Sequence, residues 1–135
     1  MSDYAKPLPI PSPETEPFWA GTKKHLLKIQ KCNECGETWF PPATLCPNCG
    51  SRNHRWIDAA GKGKILSFVT YHRLYHKGWE GELPYVVAIV ELVEGARMLA
   101  NIVDIEANDV ACDMSVQVKF DDVTDEVTIP KFQPT

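Results

Sequence analysis

The stretch that decides the fold is Cys32-Asn33-Glu34-Cys35-Gly36, echoed as Cys46-Pro47-Asn48-Cys49-Gly50, with ten residues between Cys35 and Cys46. A two-residue spacer lets both thiolates of a pair face one ion, and the glycine after each pair relieves the turn. Two such knuckles supply the tetrahedral sulfur shell that Zn2+ accepts at ~2.3 Å per Zn–S bond. A closed four-thiolate shell leaves no position for water or substrate. A structural Zn2+ is therefore expected on Cys32, Cys35, Cys46 and Cys49, in a small ribbon-like module. Iron in a rubredoxin-like site would use the same ligands. A redox dithiol would explain either pair alone but leaves the second unexplained. Cys112 has no partner at metal spacing and is expected to be a buried, inert thiol.

Before the knuckles, Pro7, Pro9, Pro11, Pro13 and Pro17 mark an extended arm, because proline fixes φ and lacks a donor. Ser12-Pro13-Glu14 reads as a helix start: serine can cap, and proline suits the first helical position. A short helix is expected through Phe18 and Trp19, fading near Gly21. Those two aromatics sit on a segment too short to bury them alone, so they pack on the rest of the chain or dock on a partner.

After the knuckles the pattern turns to β. Residues 25–31 suggest a strand leading into the first cysteine pair, and Gly61 and Gly63 punctuate the link between the cysteine region and the C-terminal half. Residues 64–72 alternate and are rich in β-branched and aromatic side chains. Residues 85–94 are a near-continuous apolar run, joined to 97–105 by a hairpin link with Gly95. Residues 114–120 and 126–132 supply two more strands, with one helical turn expected between 105 and 113. Five strands with a long loop after the first fit a small Greek-key barrel of the OB type. The expected class is mainly β: arm and short helix over 1–24, rubredoxin-like zinc ribbon over 25–60, and a five-stranded OB barrel over 61–135.

The chain has 135 residues, an apolar content of 44% and a net charge of −4. That suits one compact domain or two very small ones with a real core. No apolar run reaches the ~18 residues of a membrane span. The N-terminus carries prolines and acids instead of a basic segment followed by an apolar stretch, so a cytoplasmic setting with reduced thiols is expected. From 22 to 64 there are eight basic residues against three acids, an excess that partly compensates a dianionic zinc–thiolate centre.

The loop after the first barrel strand holds Tyr71, His72, Arg73, Tyr75, His76, Lys77, Trp79 and Tyr85. Aromatics and arginine in a loop suit a partner or ligand surface, for which Tyr71, His72, Tyr75 and Trp79, with Phe18 and Trp19, are the candidates. Packing at strand ends would account for them equally simply. His25 and His54 flank the ribbon and need no special role.

The order of these segments resembles a known family. The proline-rich arm, Phe18-Trp19-Ala20-Gly21, the two knuckles with Phe40-Pro41-Pro42 between them, the Trp56 to Gly63 link, Leu83 to Arg97 and Ile129-Pro130-Lys131-Phe132 are similar to the zinc-ribbon and OB-fold acyl-CoA-associated proteins, formerly a domain of unknown function. The resemblance runs nearly end to end. It implies a non-catalytic accessory subunit beside a thiolase-superfamily enzyme (second in order, an acyl-CoA hydratase), which supplies the reactive groups. Thiolysis, condensation or aldol cleavage of a CoA thioester is the implied chemistry of the complex. Should this chain touch CoA, Lys23, Lys24, Lys28 and Arg52 are the candidates for its phosphates. Asp113 stands where the family more usually has glycine, which questions the local turn.

The alternative is a nucleic-acid-binding ribbon and OB module. It needs a basic groove, whereas residues 65–135 carry five basic groups against twelve acids. A free-standing enzyme is the third reading. It lacks a phosphate-cradling glycine loop, an open metal site and a nucleophile elbow.

Overall fold

The computed structural model describes residues 5–135. Helix α1 (Glu16–Lys23) is followed by β1 (Leu27–Cys32), β2 (Thr38–Trp39) and β3 (His54–Ala59), which form an antiparallel sheet in the order β2-β1-β3. Strands β4 (Lys62–Tyr71), β5 (Tyr85–Leu92), β6 (Arg97–Ile102), β7 (Ser115–Asp122) and β8 (Thr128–Pro134) close into a barrel in the order β4-β5-β6-β8-β7. Closure comes from β4 meeting β7 and from a parallel contact of β6 with β8 at Ile102 and Phe132. This is the expected OB barrel on a ribbon. No helix among the described residues is long and apolar enough to cross a membrane.

Period-2 alternation places the barrel core. Along β5, Val86, Ala88, Val90 and Leu92 are buried, while Tyr85, Val87, Ile89 and Glu91 face outward and are half-covered. The near-continuous apolar run thus marks a strand with one buried face and one partly sheltered face, as barrel closure requires. The interior also takes Ile65, Met98, Ala100, Ile102, Val116 and Phe132.

That core does not stop at the barrel. Phe18, Leu27 and Ile29 belong to the same buried cluster, so α1 and the first half of β1 pack into it, across the boundaries expected at 24 and 60. Strand β3 follows β1 in register from Leu27↔Ala59 to Cys32↔His54 and was not evident in sequence, where His54–Ala59 shows no clean alternation. Thr38 Oγ1 donates to the Glu94 carbonyl at 2.8 Å, and the Glu94 carboxylate accepts from the Ala60 N–H at 2.8 Å, tying the ribbon to the β5–β6 hairpin.

Three local expectations change. The helix begins at Glu16 with Pro17 in its first turn, because Ser12–Thr15 fold into a preceding turn in which the Ser12 carbonyl accepts from Thr15 and Glu16. Cys112 is exposed, lying in a turn that its neighbour shapes. Asp113 adopts φ 65°, the left-handed region that glycine would occupy, and its N–H donates to the Ile65 carbonyl at 2.7 Å. Aspartate tolerates that region better than most residues, so the turn keeps its shape.

Two outcomes are expected from this packing. Ile29→Ala should cost ~2–5 kcal/mol in denaturant unfolding, against ~0.5 kcal/mol or less for the exposed Leu99→Ala. Asp113→Gly should be neutral or stabilising by up to ~1 kcal/mol, while Asp113→Val should destabilise by ~1–2 kcal/mol.

Candidate metal centre

The four cysteine sulfurs all lie within 4.8 Å of one another. Cys32 Sγ and Cys49 Sγ are 3.6 Å apart, as are Cys35 Sγ and Cys46 Sγ. A tetrahedron of sulfurs ~2.3 Å from a central ion has edges of ~3.8 Å, so the donors are spaced for one ion.

Each knuckle is built the same way. Gly36 N–H donates to the Cys32 carbonyl at 3.1 Å and Gly50 N–H to the Cys46 carbonyl at 2.9 Å. Both glycines take positive φ, 78° and 77°, where a side chain would be strained. Backbone N–H groups of Glu34 and Cys35 point at Cys32 Sγ (3.3 and 3.5 Å), and those of Asn48 and Cys49 at Cys46 Sγ (3.4 and 3.5 Å). Such donors stabilise thiolates over thiols. Cys32 and Cys46 are buried with Trp39, while Cys35 and Cys49 are exposed.

The electrostatics call for a cation. The Asn48 side chain, helped by the Glu37 backbone, pulls the Cys35 thiol down to about 6. At Cys49 the Ser51 backbone also pulls downward, yet the Cys32 thiol, burial and the remaining thiols push it up to about 12. Four anions cannot crowd this space unaided, and a divalent ion removes the conflict. The donor set fits a tetrahedral thiolate metal site. Its residues would hold the ion without leaving a coordination position for chemistry.

Two supporting residues were not singled out in sequence. Buried Gln30 bridges to Ala43 with both ends of its amide, donating to the carbonyl and accepting from the N–H, each at 2.8 Å. It thereby clamps the segment between the knuckles onto β1. In the alternating run Leu27-Lys28-Ile29-Gln30 it falls at a polar position that reads as outward-facing, although the side chain is buried. Asn48 Nδ2 donates to Cys35 Sγ at 3.5 Å, a role hidden in a spacer position of the second knuckle.

The other candidates are dispersed. Phe18 is 3% exposed and sits in the chain's own core, against Trp19 and Phe40, so its side chain is not offered to a partner. Trp19 is half-buried beside it. Tyr71 stacks on Tyr85 at 4.9 Å and Trp79 on Tyr85 at 5.7 Å, with Tyr75 edge-on to Tyr71 and His72 exposed nearby. Lys23 and Lys24 are exposed at the end of α1, Lys28 is ion-paired with Asp58, and Arg52 is exposed beyond the second knuckle. Because Lys28 pairs near one end of the ribbon sheet and Arg52 precedes its other end, the four cations form no common cluster.

Purified without chelator, the chain is expected to carry one equivalent of zinc by elemental analysis. Cys46→Ser should abolish that stoichiometry and remove amide protection around the knuckles in hydrogen exchange, while the barrel strands stay protected. Acidification should release the ion, since protons compete for thiolates.

Two family models match in tandem: the ChsH2 rubredoxin-like zinc ribbon domain over residues 19–55 and the ChsH2 C-terminal OB-fold domain over 56–121. A probable enoyl-CoA hydratase alpha subunit of Thermomonospora curvata is 37% identical over 118 residues, which is 87% of this chain but only 36% of that relative's length. A DUF35 domain-containing scaffold protein of Methanocaldococcus jannaschii is 36% identical over 104 residues, 76% of this chain and 73% of the relative. A benzoylsuccinyl-CoA thiolase subunit, BbsA of Thauera aromatica, is 28% identical over 76 residues, 56% of this chain and 51% of the relative. Among solved structures, a chain of an Ltp2-ChsH2(DUF35) aldolase superposes with a TM-score of 0.84 at 34% identity, covering 94% of this chain and 98% of that one. The chain therefore belongs to the DUF35 family, which joins a ChsH2-type zinc ribbon to a ChsH2-type OB fold.

Proposed function

We propose that the chain is a non-catalytic accessory subunit of a cytoplasmic acyl-CoA-processing complex, that its metal is a structural zinc, and that it pairs with a thiolase-superfamily enzyme whose CoA and acyl site it helps to form. The observation that carries this reading is the end-to-end likeness to a chain of an aldolase, with the same ribbon and barrel. A relative described as a scaffold and another described as a thiolase subunit support it. The relative described as a hydratase alpha subunit makes a hydratase the second choice of partner.

The chemistry of the chain agrees. Among the described residues, the four cysteines are the one group of three or more histidine, cysteine or acidic side chains placed to share an ion, and a tetra-thiolate shell is closed to substrate. Carbon–carbon bond making or breaking in a thioester then falls to the partner, and this subunit contributes position and surface.

The purified chain alone is expected to turn over no acyl-CoA. Co-expressed with a thiolase-superfamily enzyme of its own organism, it should co-purify in fixed stoichiometry, and the complex should be active where neither component is. Thioester turnover by the isolated chain, abolished by changing one of its own side chains, would overturn the proposal.

A further inference from the structure

We infer that the outer face of β4, β5 and β6 is a binding groove for the aliphatic acyl chain of a thioester. The thioester rests on the accessory-subunit reading; the groove names where on this chain the acyl group lies. OB barrels take up ligands on the face of their second and third strands, which here are β5 and β6. Strand register sets Ser67, Ile89 and Leu99 side by side across three strands. The next outward row continues the strip with Val69 and Val87. The register shifts between Ile65 and Ser67, so Leu66 is an extra residue and joins Ser67 in lining the groove. A solvent-facing side of an antiparallel sheet is ordinarily polar. Here Leu99 is 66% exposed and Val69 55%.

The face is also concave. Phe40 and Pro41 of the ribbon stand beside the central row as a wall, and the space between is a cavity of about 500 Å3. That lies within the ~300–1,000 Å3 of small-molecule sites. Size and composition select the occupant. Eight residues line the cavity, whereas a stable protein–protein interface takes roughly 20–30 a side. The groove is therefore too small to hold a second copy of this chain or a partner enzyme by itself. A nucleic-acid strand needs free aromatic faces and a basic track. This floor is aliphatic, and the Phe40 ring is already engaged by Phe18 at 5.1 Å. A sugar needs several hydrogen-bonding partners, and the floor offers the Ser67 hydroxyl. An aliphatic chain needs none. At one end Lys64 and Arg97 flank Glu91 in register, two cations against one acid, which suits the anionic end of a CoA thioester.

The test titrates the full chain, purified without chelator, with decanoyl-CoA, CoA and decanoate by calorimetry. Decanoyl-CoA should bind about ten-fold or more tightly than CoA, with a negative heat-capacity change, and decanoate should compete with it. Leu99→Glu should weaken decanoyl-CoA binding about ten-fold or more, with zinc content and melting temperature unchanged. Val93→Glu, on the exposed β5–β6 hairpin, should leave affinity as it is. Equal binding of CoA and decanoyl-CoA, or full affinity in the Leu99→Glu chain, would overturn the groove. So would a Leu99→Glu chain that binds decanoyl-CoA normally but no longer captures a thiolase-superfamily enzyme, because the face would then be a protein interface. Self-association of the unmodified chain that Leu99→Glu abolishes, seen by light scattering, would overturn it in the same way. An active complex whose small subunit binds no acyl chain sinks the groove alone. Acyl binding by a chain that captures no enzyme sustains the groove and removes the accessory reading.

Discussion

One six-residue strand holds the two halves of this molecule in register. Strand β1 buries Leu27 and Ile29 in the core shared with the barrel and ends on Cys32, one of the four clustered thiols. The strand is therefore fixed by hydrophobic burial at one end and by the thiolate cluster at the other. Six paired residues of β3 and the Gln30 amide hold it sideways. Both ends act on one short strand, which gives a small ribbon a fixed attitude on the barrel.

Charge is distributed to serve that arrangement. Lys28 is paired with Asp58 across the β1–β3 pair, and Lys62 and Lys64 lie on barrel strand β4. His25 reaches the acidic barrel, contacting Asp122 at 3.0 Å and stacking on Phe120 at 5.1 Å. Asp122 is held below the usual carboxylate range by the Thr128 hydroxyl and by His25. These pairings tie surface charges to neighbours within the fold.

Much of the architecture was legible because strong signals were local. The cysteine spacing dictates the knuckles, and the alternation in β4 and β7 with the apolar run of β5 dictates the barrel. What escaped was non-local. Strand β3 has no periodicity of its own and exists because β1 offers a register for it. Gln30 and Asn48 act on groups 13 positions away, so neither is readable from its neighbours. Phe18 could not be assigned between core and partner until the closeness of Phe40 and Trp19 was known. The burial expected of Cys112 failed because the residue lies in a turn, beside Asp113 at φ 65°, and not on a strand.

X-ray absorption at the zinc edge of the purified protein, with and without an acyl-CoA present, tests the closed shell most directly. Four sulfur scatterers at ~2.3 Å with no nitrogen or oxygen, unchanged by the thioester, is the expected spectrum. A shell with fewer than four sulfurs, or one that gains an oxygen ligand when the thioester is added, would show an open metal and contradict a purely structural role.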